Sequence, residues 1–92
     1  MKFTYSKLKD FKLRQQRGIS FGEIIDLAET GCLLEIIPHY DPIKYSQQKI
    51  MVLNIKDYIW LVPFEQKDDI LHLKTAFRSR KYTKIYLGKS NE

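Results

Sequence analysis

The chain has 92 residues, a length typical of one domain, and 43% of them are hydrophobic, a composition that excludes an intrinsically disordered protein. The formal net charge is +5, and no apolar stretch approaches the roughly 20 residues of a membrane helix. No signal peptide is visible, and the single cysteine, Cys32, cannot form an internal disulfide, so we expect a cytoplasmic protein with a buried, inert thiol.

Two helices are expected at the N-terminal end. Ser6 can cap a helix over residues 7–16, which Gly18 ends. Ser20 and Glu23 have the spacing of a capping box, in which each side chain bonds the other residue's backbone N–H. The helix that follows has Phe21, Ile24, Ile25 and Ala28 on one apolar stripe, and it should end at Gly31.

Four strands are expected next, over residues 32–37, 49–55, 58–64 and 70–77. Residues 56–57 can form a two-residue hairpin, although they lack the glycine that such turns prefer, and residues 66–69 make a second short loop. Pro63 cannot donate a hydrogen bond to a sheet, so we expect the pairing to break or bulge there. Ser79 can cap a final helix over residues 80–87. The sequence therefore predicts one α+β domain, residues 1–92, in which N-terminal helices pack on a four-stranded antiparallel sheet and a short C-terminal helix follows.

The last strand is predicted to be apolar on one face and cationic on the other. Regular alternation puts Leu71, Leu73 and Phe77 on one face, and His72, Lys74 and Arg78 on the other. Because the second helix should cover only one side of the sheet, we expect the other side to be partly open and to present this cationic face.

Basic residues are concentrated at the two ends of the chain. Residues 1–17 hold six lysines and arginines against one acid, and residues 74–89 hold six against none, whereas residues 18–73 hold four against nine acids. If the two ends meet in space, they form a positive surface suited to phosphate. The alternative is a rim of solvated charges that aids solubility.

Metal and cofactor sites are poorly supported. Cys32 has no cysteine partner at ligand spacing, and His39 and His72 are far apart in sequence. The chain has no glycine-rich phosphate loop and no Gly-x-Ser-x-Gly motif. We therefore expect no metal and no cofactor.

The remaining cations, with histidine and tyrosine, suit the cleavage of RNA by its own 2′-hydroxyl group. That reaction needs a group that takes the hydroxyl proton, cations that stabilise the phosphorane and a proton donor for the leaving oxygen, but no metal. The candidate catalytic residues are Lys74 and Arg80 at the scissile phosphate, Arg78 beside them, and His72 for proton transfer, with His39 and Tyr45 as alternatives. The candidate RNA-binding residues are Lys81, Lys84, Lys12 and Arg14. Tyr82 and Tyr86 are expected to pack the final helix onto the sheet.

Two segments resemble a known family. The residues R-G-I-S-F-G-E at 17–23, before a helix, resemble the N-terminal signature of BrnT-type toxins, in which Gly-(Ile/Val)-Ser-Phe-x-Glu recurs. Residues 74–81, K-T-A-F-R-S-R-K, followed by Tyr86, look like the closing strand, basic turn and helix of that family. The resemblance implies a RelE-like fold and a ribonuclease toxin of a type II toxin–antitoxin system that inhibits translation. It also implies a cognate antitoxin with a ribbon-helix-helix DNA-binding part, and operator DNA reached only through that antitoxin.

Three functions remain open from the sequence. The first is a metal-independent endoribonuclease, with RNA and an antitoxin as partners and no contact with membranes. The second is a non-enzymatic module that binds nucleic acid through the same basic surface. The third is an interaction protein whose open sheet face receives another chain.

Overall fold

The computed structural model describes residues 2–88, so Lys89 of the C-terminal basic cluster and the rest of the polar tail lie outside the described residues. The domain is α+β, as expected. Within residues 2–88, the helices and strands in chain order are β1 (Lys2–Tyr5), α1 (Lys7–Arg17), α2 (Phe21–Leu27), β2 (Leu33–Pro38), β3 (Gln48–Ile55), β4 (Tyr58–Lys67), β5 (Ile70–Leu73), β6 (Phe77–Arg78) and α3 (Arg80–Leu87).

The helix caps follow from local sequence. The Ser6 hydroxyl accepts a hydrogen bond from the Lys9 N–H, and α1 ends at Gly18, which has a left-handed backbone (φ 69°). Ser20 and Glu23 form both bonds of the capping box. The α-helical part of α2 is shorter than expected: residues Ala28–Cys32 form a wider π-type turn, and the chain reverses at Gly31 with φ 106°.

The sheet is mixed, so the expectation of four antiparallel strands is wrong. The strand order is β1-β5-β4-β3-β2, with the short β6 also paired to β4. The pairs β2–β3, β3–β4 and β4–β5 are antiparallel, whereas β1 pairs parallel to β5. Four residues, Lys-Phe-Thr-Tyr, are too short to identify β1 by alternation. Their strand conformation depends on pairing with β5, more than 60 residues away in the chain.

The hairpin between β3 and β4 has the two-residue turn that its length predicts. Lys56 and Asp57 both have positive φ angles, 52° and 68°, which is the conformation of a type I′ turn. The strand pairs on either side are in continuous register from Ile55↔Tyr58 to Gln48↔Glu65. This register sets which residues of β4 face each core.

The expected break at Pro63 occurs on one edge of β4 only. Pro63 remains paired with Ile50 of β3, and its carbonyl accepts the Lys74 N–H at 2.9 Å. Because the nitrogen and carbonyl of one strand residue point to the same edge, the proline nitrogen faces the segment 74–76. That segment leaves the ladder and divides the predicted last strand into β5 and β6.

The break also changes which face each side chain occupies. Leu71, Leu73 and Ala76 lie in the larger core, under α1 and α2, whereas Phe77 packs against the smaller core, under α3. Phe77 therefore lies on the face of the sheet opposite to Leu71 and Leu73. The prediction that His72, Lys74 and Arg78 share one cationic face is wrong. Three irregular residues between β5 and β6 destroy the strict alternation on which it depended.

The two faces of the sheet carry different cores. Phe21 and Ile24 of α2, both fully buried, and Leu13 of α1 cover the larger core. On the other face, Tyr82 and Tyr86 pack α3 over the smaller core, as predicted. The smaller core consists of Ile50, Val52, Ile59 and Leu61. Helix α3 therefore covers part of the face that was expected to be open. The Cys32 thiol is free and only half-buried, so the prediction of a buried cysteine is wrong.

Candidate functional site

The break between β5 and β6 opens a cleft on each face of the sheet. The first, which we call the lysine cleft, has a volume of about 300 Å³ and lies beside α1. Its walls include Lys9, Lys12, Gln16, Arg17, Lys74 and Thr75. The second, the histidine cleft, also has about 300 Å³. Its walls include Lys9, His39, Tyr45, Gln48, Lys74 and Phe77. Lys9, Lys74 and Thr75 belong to both clefts, so the clefts adjoin at the break.

The two basic ends of the chain meet at these clefts. Lys9 and Lys12 come from the N-terminal cluster and Lys74 from the C-terminal one, and all three line the lysine cleft. None of the described residues that line either cleft is acidic. Three ammonium groups around a concave surface attract an anion more strongly than the same charges on a flat surface. The geometry therefore favours a phosphate group at the break in the sheet.

Lys74 already has a partner, but a weak one. Its Nζ lies 3.8 Å from Oε1 of Glu65, and both side chains are partly exposed. Such a long ion pair, screened by water, contributes little to stability. A phosphate in the cleft can therefore replace Glu65 at small cost.

His39, which the sequence indicated only as an alternative for proton transfer, is a member of the site. It is 6% exposed, and its ring lies 4.4 Å from each of the Tyr40 and Tyr45 rings. Its Nδ1 accepts a hydrogen bond from the Asp41 N–H at 3.0 Å. The loop is held by further bonds from the N–H groups of Lys44 and Tyr45 to Asp41. A histidine fixed in this way is pre-organised at the wall of a cationic cleft.

Tyr45 lies where the sequence hypothesis needs it, beside Lys74 in the histidine cleft. It also lines a neighbouring cleft of about 400 Å³, which His39 and Gln48 share. The ammonium group of Lys44 lies 5.3 Å from the centre of the Tyr45 ring. Tyr45 and His39 are thus two of the aromatic candidates for contact with a bound nucleotide.

His72, in contrast, lies outside the four clefts that the structure describes around the sheet. Its Nδ1 is 2.7 Å from Oγ1 of Thr4, which joins β5 to β1. It faces Glu65 across the β4–β5 pair. This placement indicates a structural bond at the edge of the sheet, so the structure favours His39 over His72 as the histidine near phosphate.

Arg78 lines a third cleft, which we call the arginine cleft, of about 340 Å³. Its other charged residues are Arg17, Lys56 and Glu23. The Arg78 guanidinium stacks on the Tyr58 ring at 4.2 Å. Because Arg17 lines both this cleft and the lysine cleft, cations follow one another from Lys74 past Lys12 and Arg17 to Arg78.

The cations of α3 are apart from this series. Arg80, Lys81 and Lys84 are exposed and line none of the four clefts in the described part of the chain. Arg80 and Lys74, which were expected to bind one phosphate together, therefore share none of these four clefts. Arg14 is also occupied: its Nε lies 3.4 Å from Asp10, whose other oxygen accepts the Phe21 N–H. Of the four expected RNA-binding residues, only Lys12 lines a cleft.

Side chains of α3 hold the helix in place through hydrogen bonds to β4 and β2. Thr83, fully buried, accepts the Ile59 N–H at 2.9 Å and donates to the Ser79 carbonyl. The Tyr86 hydroxyl donates to Glu35 of β2 at 2.6 Å. That hydrogen bond, with some burial and the nearby negative charge, raises the pKa of Tyr86 to about 12. These contacts assign α3 a structural role, closing one end of the face on which the histidine cleft lies.

Lys9 and Gln16 were overlooked in the sequence, whereas Lys12 was among the expected RNA-binding residues. Lys9, Lys12 and Gln16 are three and four residues apart, so they share one side of α1, and this spacing was a usable signal once Ser6 fixed the start of the helix. Nothing local could have shown that this side adjoins Lys74. Among residues 2–88, no group of three or more His, Cys, Asp or Glu side chains is placed to hold a metal ion. None of the helices in that range has the length and apolar character needed to cross a membrane.

No protein-family model, curated protein or solved structure matches this chain. The function proposed below therefore depends on the residues themselves and on where the fold places them.

Proposed function

We propose that this protein is a metal-independent endoribonuclease that acts in the cytoplasm. The observation that carries the proposal is the meeting of Lys9, Lys12 and Lys74 at one break in the sheet, beside His39 and Tyr45. Positive charge around a concave surface attracts the phosphate backbone of RNA. The aromatic walls of the histidine cleft suit a single strand, whose unstacked bases can contact tyrosine rings.

The proposed reaction uses the substrate's own nucleophile. The 2′-oxygen loses its proton and bonds to phosphorus, the bond from phosphorus to the 5′-oxygen breaks, and that oxygen takes up a proton. The products are a 2′,3′-cyclic phosphate and a 5′-hydroxyl. Negative charge grows on the phosphoryl oxygens in the transition state, so ammonium groups fixed around them, those of Lys74 and Lys9, lower the barrier.

The proposal of a toxin depends on the resemblance at residues 17–23 and 74–81. In the fold, residues 17–23 join α1 to α2, and three of them have structural uses: Gly18 ends a helix, Ser20 caps the next one and Phe21 fills the core. Residues 74–81 contain the break, β6 and the cap of α3. Two helices, an antiparallel set of strands and a basic closing segment are the order of elements that the resemblance implies. A RelE-like fold, a ribbon-helix-helix antitoxin and inhibition of translation are accordingly part of the proposal.

The first test compares two single-cation variants in an RNA-cleavage assay with chelator present. Lys74→Ala removes a cation from both clefts, whereas Arg80→Ala removes one from the exposed start of α3. We expect cleavage by the wild type in chelator, a loss of roughly 100-fold or more in Lys74→Ala by analogy with the removal of one transition-state donor, and little change in Arg80→Ala. Growth arrest on expression should follow the same order.

Two outcomes would refute the proposal. Cleavage that disappears with chelator would exclude the metal-free reaction. Equal loss in both variants, with both folded, would show that overall charge matters and the cleft does not.

A second candidate function is binding of nucleic acid without cleavage. It is favoured by the extended series of cations from Lys74 to Arg78, which covers more surface than a single phosphate needs. This function predicts salt-sensitive binding of RNA that stays intact. A tight protein partner combined with no affinity for RNA would instead favour an interaction module.

A further inference from the structure

The sequence contains two histidines, and the structure distinguishes their chemistry. His72 bonds Thr4 at the edge of the sheet. His39 lines the histidine cleft together with Lys9 and Lys74. A histidine in a nuclease is usually considered first as a base that takes a proton. The hydrogen bonds of His39 indicate a different role.

The protonation of the His39 ring is determined by its neighbour. The Asp41 N–H can only donate, so Nδ1, which accepts that bond at 3.0 Å, carries no proton. A neutral imidazole has one N–H, and here it must be on Nε2. The assignment comes from the hydrogen-bond network, since the backbone N–H leaves no other choice at Nδ1.

The surrounding loop opposes any change in this arrangement. The Tyr45 N–H bonds the Asp41 carbonyl at 2.9 Å, and the Lys44 N–H bonds the Asp41 side chain at 3.2 Å, so the Asp41 backbone cannot easily turn away. The Tyr40 and Tyr45 rings each lie 4.4 Å from the imidazole, centre to centre, and these contacts oppose a rotation that would carry Nδ1 away from the Asp41 N–H. Protonation of Nδ1 would place two N–H groups against each other and break the Asp41 bond.

We propose that His39 stays neutral and donates its Nε2–H to a non-bridging oxygen of a phosphodiester that Lys9 and Lys74 bind at the break in the sheet. The inference depends on the proposed function for its substrate, a single-stranded RNA. His39 is then a hydrogen-bond donor to the phosphoryl group and takes no proton from the 2′-hydroxyl. The proton must be taken by a different group, for which Tyr45 is the candidate in the same cleft.

A neutral donor has a physical advantage here. Two lysines already supply positive charge at the phosphate, so the ring need not add more. A fixed N–H adds direction, because it must point at one oxygen to bond well. The lysines therefore bind the phosphate, and His39 orients it.

The tautomer can be measured without any substrate. Because the sequence has only His39 and His72, the nitrogen resonances of labelled imidazoles can be assigned with one variant, His72→Gln. We expect His39 to carry its proton on Nε2 near neutral pH. A proton on Nδ1, or a charged ring, would overturn the inference.

The contact with phosphate is tested with a 2′-O-methyl RNA oligonucleotide, which binds but lacks the hydroxyl needed for cleavage. We expect its addition to shift the His39 Nε2–H resonance and to leave His72 unchanged. A shift of His72 with His39 unchanged would refute the proposal. If the His39 resonance shifts but unmodified RNA stays intact, the hydrogen bond is supported and the nuclease function is refuted. Failure of the inference can therefore be distinguished from failure of the proposed function.

Two substitutions separate a donor from a base. His39→Gln places an amide N–H near the position of Nε2, whereas His39→Ala has no donor, and both lose the bond from Asp41. We expect affinity for the oligonucleotide to fall by roughly 10- to 100-fold in His39→Ala, the size of one hydrogen bond to a charged group, and by only a few-fold in His39→Gln. Cleavage should be rescued by Gln in the same way. Equal losses in two folded variants would show that the ring acts as a base or only supports the loop.

Discussion

The clustering of Lys9, Lys12 and Lys74 makes a quantitative prediction about salt. Replacing all three by Ala removes the lysines of the lysine cleft and leaves Arg17, while Arg80, Lys81 and Lys84 offer a control with the same change in net charge. For single strands, the logarithm of the binding constant falls with the logarithm of salt concentration by about 0.7 for each phosphate contact. The cleft variant should therefore have a slope that is less steep by about 2.

The size of the effect follows from that slope. Between about 50 and about 200 mM salt, a fourfold change, the affinity ratio of wild type to cleft variant should shrink by roughly 20-fold. The α3 control should keep a slope near that of the wild type, because its cations line none of the described clefts.

The assay is fluorescence anisotropy with a labelled 2′-O-methyl oligonucleotide at several salt concentrations. The six side chains are exposed or half-buried at the surface, so thermal unfolding should show both triple variants to be folded. Equal slopes in the two variants would refute the view that the cleft is where phosphates bind. If the slope became less steep in the α3 variant than in the cleft variant, the binding surface would lie on that helix.

Two further predictions concern α3. Thr83→Val keeps the shape of the side chain but leaves the Ile59 N–H of β4 without an acceptor, so the free energy of unfolding should fall by about 1–3 kcal/mol, measured by urea titration. A Thr83→Ser variant, which keeps the hydroxyl, should lose less stability. An unchanged free energy of unfolding in Thr83→Val would show that the hydrogen bond contributes nothing. The pKa of Tyr86 is raised to about 12, against 10.0 for the free side chain, so the fold favours the neutral hydroxyl. The stability that this hydroxyl contributes is therefore complete below pH 10 and is lost as the pH rises from 10 to 12. The difference in stability between wild type and Tyr86→Phe should therefore shrink across that interval, and a constant difference would contradict the hydrogen bond to Glu35.

Local chemistry was sufficient for much of the fold. The hydroxyl groups of Ser6, Ser20 and Ser79 each bond an N–H in the first turn of a helix, and each cap is visible in the sequence because the acceptor and the donor are only three residues apart. The hairpin at residues 56–57 followed from its length alone. Amphipathic spacing correctly placed Phe21 and Ile24 on the buried face of α2.

The site was predicted less well, for one reason. The face of each residue after Leu73 was deduced from strict alternation, and the irregular segment at 74–76 reverses it, so Phe77 lies on the face opposite to the one expected. Lys74, predicted to bind the scissile phosphate, lines a cleft, but the residues that line it with Lys74 include Lys9 and His39, and not Arg80 or His72. The convergence of the two basic ends was a sound expectation, and it holds for Lys9, Lys12 and Lys74.

The sequence by itself determined the helix caps, the tight turn, the class of fold and the two clusters of positive charge, because each of these depends on residues that are neighbours in the chain. Tertiary structure alone decided the parallel strand β1, the break beside Pro63 and the choice between the two histidines. Each of these depends on a pairing between segments that are distant in sequence, and a backbone edge does not reveal its partner until the chain has folded.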